Sequence, residues 1–108
     1  MTATHDVALP IGATTPFDWD GATRTIKGDA ITVCEATSAG EPILVAPYAT
    51  QRTDGTIVDT KNDQPLVFID VVHDDFAHEA LTVPAHAARA LAAALIASAD
   101  VLDGWVRR

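Results

Sequence analysis

Cysteine is almost missing from this chain of 108 residues: Cys34 stands alone. No intramolecular disulfide can form, and no multi-cysteine zinc framework can be assembled. Basic residues are few as well, 7 against 15 acidic ones, for a formal net charge of −8. They are scattered except for Arg107 and Arg108, so the clustered cations that phosphate contacts need are missing and direct nucleic-acid binding is not expected. No apolar run approaches the roughly 20 residues that span a bilayer. The opening MTATHDVALPIGATTPFDW has neither the cationic start nor the apolar centre of a signal peptide. A soluble, cytoplasmic protein with no membrane partner is the expectation. G-x-S-x-G, P-loop, G-x-G-x-x-G and H-E-x-x-H sequences are also missing. The common catalytic and nucleotide-binding frameworks therefore have no anchor, and no cofactor is implied.

What is present is ordinary globular chemistry. The hydrophobic share of 48% is enough for a core in one small domain. The acids are dispersed along the chain, which fits solubility first and an acidic decoy of a nucleic-acid-binding protein second.

Residues 1–15 carry Thr, Ala, Pro and Gly without a period and are expected to form a flexible N-terminal arm. A single domain over 16–106 follows. Asp20-Gly21 and Asp54-Gly55 are turn signals between short strand-like segments. AITVCEAT (30–37) alternates as a strand, with Ile31 and Val33 on one side and Thr32 and Cys34 on the other. Cys34 is expected to be packed rather than reactive, because free cysteine favours the interior and Glu35 would raise the thiol pKa. ILVAPYAT (43–50) is again strand-like, and Pro47 places it at an edge or beside a bulge. PLVFIDVV (65–72) is apolar on both faces apart from Asp70, the pattern of a strand central in its sheet.

From Pro84 to about Val106 the period changes from two to 3.6. At about 100° per residue, Ala88, Leu91, Ala92, Leu95, Ala99, Leu102 and Val106 form the stripe expected to face the core. The fold class expected is α+β: a small antiparallel sheet packed against one long C-terminal helix. The segment from Leu66 to Asp100 resembles the C-terminal half of short uncharacterised proteins of actinobacteria and their phages. The resemblance runs through Leu81, Pro84, Ala88, Arg89, Leu91, Ala92 and Leu95, a Leu-x-Pro-type helix start followed by Ala-Arg-x-Leu-Ala-x-x-Leu. This chain departs from the pattern in having Val83 between Thr82 and Pro84. The resemblance implies a bacterial or phage origin and a strand-then-helix order, with no activity attached.

Two groups of residues are candidates for function. Asp70, His73, Asp74, His78 and Glu79 gather reactive side chains within ten positions, the alternative centre for a metal-dependent or acid–base enzyme. His73 and His78 are five apart across a turn rather than one helical turn apart, so their spacing favours a solvated turn over a metal site. The second group, Ala87, Ala94, Val101 and Trp105, forms an apolar strip along the flank of the helix. Small residues and a tryptophan suit a subunit interface. The leading expectation is a non-enzymatic protein acting by protein–protein association through that strip, as a homodimer and in an accessory or regulatory role.

Overall fold

The structure, a computed structural model, describes residues 7–38, 40–71 and 83–107. Five strands precede one helix: β1 (Ala13–Pro16), β2 (Thr23–Gly28), β3 (Ile31–Val33), β4 (Ile43–Arg52), β5 (Leu66–Val71) and α1 (Ala85–Val106). All strand pairings are antiparallel, and the helix packs on the sheet. The α+β arrangement expected from the pattern is the one observed.

The turns follow local chemistry. Gly21 and Gly55, with φ of 64° and 91°, take the left-handed conformation that the two Asp-Gly signals require. At the second turn the Thr56 hydroxyl and backbone N–H bond the Asp54 carboxylate at 2.6 and 2.9 Å. Those donors hold its pKa below the ordinary 3.8, the hydroxyl contributing most.

The central strand is β4, not β5. On one side β4 pairs with β2 and, further along, with β3; on the other it pairs with β5. Pro47 lies in its middle without an N–H to give. It is tolerated there because the neighbouring strand is interrupted at the same level. The registers Lys27↔Tyr48 and Ile31↔Val45 leave Gly28, Asp29 and Ala30 facing only Ala46 and Pro47. Gly28 has to be glycine at this crossing, since a Cβ would lie 2.6 Å from both the Gly12 carbonyl oxygen and Pro47 Cγ. The strand expected over 30–37 stops at Val33, because Glu35 turns the backbone to a φ of 48°. Cys34 therefore falls in a turn and is exposed, contrary to the packed thiol expected.

The helix meets the sheet on a different face from the one its leucines indicate. Buried positions are Ala87, Ala94, Ser98, Leu102 and Trp105, while Ala88, Ala92, Ala99 and Val106 are exposed. At about 100° per residue, the buried face is rotated by roughly 90° from the expected stripe. Ala87, Ala94 and Ser98 are small enough to let the helix backbone approach the strands. Leu91 and Leu95 border the contact, half-buried. Ala87 and Ala94 join Val33, Ile43 and Val45 in one cluster; Leu102 and Trp105 join Ile26, Ala49 and Ile57 in another. Ser98 is 1% exposed, and its hydroxyl has no hydrogen-bond partner among the described residues. By length and composition alone α1 is long and apolar enough to cross a membrane, although charged residues interrupt its apolar run.

The arm expected over 1–15 is tied down from Val7 onward. Ala13–Pro16 pairs with β2, and side chains of the body hold the backbone carbonyls of Val7, Ala8 and Ile11.

Candidate interaction surface

The strip Ala87, Ala94, Val101 and Trp105 does not form an open surface. Ala87, Ala94 and Trp105 are 2%, 4% and 3% exposed within the single chain, and Val101 is half-buried beside them. A sheet face large enough to receive a helix buries whatever the helix points at it, and this helix points that strip. The expectation of a subunit interface at these four residues is corrected to a place in the core. Of the polar cluster, Asp70 is exposed near the end of β5; His73, Asp74, His78 and Glu79 lie outside the described residues. Among the described residues, no three His, Cys, Asp or Glu side chains converge as metal ligands.

The side of the sheet away from α1 supplies the alternative. Alternation places Val67, Ile69 and Val71 of β5 on the helix side and Leu66, Phe68 and Asp70 on the far side. The far side continues across β4 through Leu44, Ala46 and Tyr48. Tyr48 and Phe68 stack with ring centroids 6.2 Å apart, and Lys27 Nζ sits 5.0 Å from the Phe68 centroid. The neighbouring aromatic ring and the lysine stem leave Ala46 only 1% exposed. Around that tight centre the surface is greasy: Leu66 is 55% exposed and Phe68 40%.

The edge of the sheet adds to this. Among the described residues, β5 pairs only with β4 and stands at the edge of the sheet. Ile69, on the helix side of the same strand, is 50% exposed. Protected edges usually carry lysine, proline or a bulge; Leu66–Val71 has one charge, Asp70, and no proline. Nothing about Leu66 or Phe68 as single residues marks a site. The signal in the sequence is apolarity on both faces of the strand, which a central strand and a bare edge share.

Comparison with known protein families, curated proteins and solved structures returns no match to this chain.

Proposed function

We propose that the protein acts by protein–protein association, pairing β5 of one copy with β5 of a second. The observation that carries this reading is a strand with the composition of a sheet interior placed at a sheet edge, with Leu66, Phe68 and Ile69 half open to water. Antiparallel pairing of an edge with itself satisfies the main-chain groups and keeps equivalent faces together. A twofold axis beside Phe68 sets that ring next to its copy, with Leu66 across from Asp70 of the second copy and Val67 across from Ile69. The strand contributes little of the chain's negative charge, which lowers the repulsion that two copies of an acidic protein otherwise meet. Burial of this apolar surface contributes about 25 cal/mol per Å².

Sedimentation velocity over a concentration series tests the proposal. Wild-type protein is expected to move to a dimer with rising concentration. Phe68→Glu is expected to stay monomeric with an unchanged circular dichroism spectrum, because the ring is not required by the helix-side core. A wild type that remains monomeric at the highest concentration, or a Phe68→Glu variant that dimerises equally well, refutes the assignment.

A further inference from the structure

The geometry points to a second binding site, a cleft for an extended peptide, filled in this structure by the chain's own residues 7–11. Three side chains from three different elements converge on this segment, and all three donate to its main-chain carbonyls. Arg24 of β2 donates through Nη2 to the Val7 carbonyl at 3.0 Å. Gln51 of β4 donates through Nε2 to that of Ala8 at 2.9 Å. Trp105 of α1 donates through Nε1 to that of Ile11 at 2.8 Å. The donors are fixed before any peptide arrives. Gln51 is fully buried, and its amide is oriented by Arg24 Nε, which donates to Oε1 at 2.9 Å, and by the Gly55 carbonyl, which accepts from Nε2 at 3.2 Å. Arg24 in turn lies 4.6 Å from the centroid of the Trp19 ring.

The segment itself behaves as a ligand would. Among the described residues, its one main-chain hydrogen bond to another main-chain group is the turn from Ala13 N–H to the Pro10 carbonyl. Pro10 is buried, and Leu9, half-buried, packs on the cluster of Ile26, Ile57, Leu102 and Trp105; Val7 is half-buried as well, beside Gly55. Ile11, by contrast, is 88% exposed. Two clefts of about 470 and 580 Å³ adjoin the segment, both walled by Trp105, with Val7, Ala8 and Pro10 lining the first and Ile11 the second. Carbonyl recognition is indifferent to side-chain identity, while the contacts of half-buried Leu9 and buried Pro10 select an aliphatic residue followed by proline. Proline has no N–H to leave unpaired, which suits a wall that offers donors. The ligand class is therefore an extended peptide carrying an aliphatic–Pro pair, with carbonyls accepting at the two residues before the pair and at the one after it.

The tethered segment competes at the millimolar effective concentration of a short linker, so the site is closed to weak partners until the segment leaves. Fluorescence anisotropy with a labelled peptide of residues 5–13 tests this on the full chain. Wild type is expected to bind the peptide weakly. Leu9→Asp in the protein, which expels the tethered segment, is expected to tighten binding by about 10- to 100-fold. A peptide with Asp-Gly in place of Leu-Pro is expected not to bind. The assignment is overturned if folded Leu9→Asp protein gains no affinity, or if the Asp-Gly peptide binds equally. It is also overturned if Leu9→Asp unfolds the chain, because the segment is then part of the core.

Discussion

Replacing Gln51 with leucine tests the polar knot between the sheet and residues 7–11. The side chain is 0% exposed and holds three partners: Arg24 Nε, the Ala8 carbonyl and the Gly55 carbonyl. Leucine nearly matches its volume and satisfies none of them. Each bond contributes about 0.5–1.5 kcal/mol net. Ala8 is exposed and Arg24 half-buried, so water can reach two of the orphaned groups and the full desolvation cost is not incurred. A better-buried apolar side chain offsets about 1 kcal/mol. The expected loss is about 1–3 kcal/mol. Urea denaturation reads it as a lower midpoint with an unchanged m-value. Limited proteolysis should show cleavage after Ile11 at lower protease concentration, because the Ala8 anchor is gone. Arg24→Leu combined with Gln51→Leu should cost less than the two separately, by at least about 0.5 kcal/mol, if the pair acts as one unit. A Gln51→Leu protein as stable as wild type, or a strictly additive double variant, would refute the reasoning.

Four other expectations concern the core and one turn. Ala94→Glu should unfold the chain or cost more than about 4 kcal/mol by thermal denaturation, since it buries an unpaired charge, whereas Ala93→Ser on the exposed side should stay within about 0.5 kcal/mol. Gly28→Ala should cost about 1–3 kcal/mol, because the new methyl meets a backbone oxygen as well as the Pro47 ring. Ser98→Ala should stabilise by about 1 kcal/mol in a urea titration, since it removes a buried hydroxyl without a partner and raises helix propensity. The lowered pKa of Asp54 means that its contribution to stability is present above its ordinary 3.8 and is lost as pH falls through the lower folded value. An Asp54→Asn variant should therefore be less stable than wild type at neutral pH and should converge with it in strong acid.

The parts of the fold legible from sequence were those decided locally. Both Asp-Gly turns, the alternation of Ile31 and Val33, and the helix after Pro84 depend on neighbouring residues, and they stand where the pattern placed them. Long-range choices were not legible. Two apolar strips about 90° apart ran along α1, and weighting by leucine selected the wrong one. The sheet took the strip with Ala87, Ala94 and Ser98 because close approach, not side-chain size, governed the contact. Apolarity on both faces of β5 was equally ambiguous, since it describes a buried central strand and a sticky edge alike. The attachment of the arm is not legible for a different reason: its anchors are Arg24, Gln51 and Trp105, far away in sequence, and they grip carbonyls that every residue possesses. Of the polar cluster at 70–79, four of the five named residues lie outside the described regions, and Asp70 alone shows only an exposed carboxylate.

The bond from Trp105 to the Ile11 carbonyl joins residues 94 positions apart, and this imposes an order on folding during translation. Residues 7–11 are made well before the indole that binds the Ile11 carbonyl. At about 5–20 residues per second, the delay is about 5–20 s. The hairpin of β1 and β2 needs only nearby residues and can form within microseconds of emerging. The nascent chain thus carries the Ile11 carbonyl without its indole donor over that interval, while Arg24 and Gln51 are already available to Val7 and Ala8. A slower ribosome prolongs that window, so codon choice between positions 11 and 105 sets how long the Ile11 carbonyl waits for its donor.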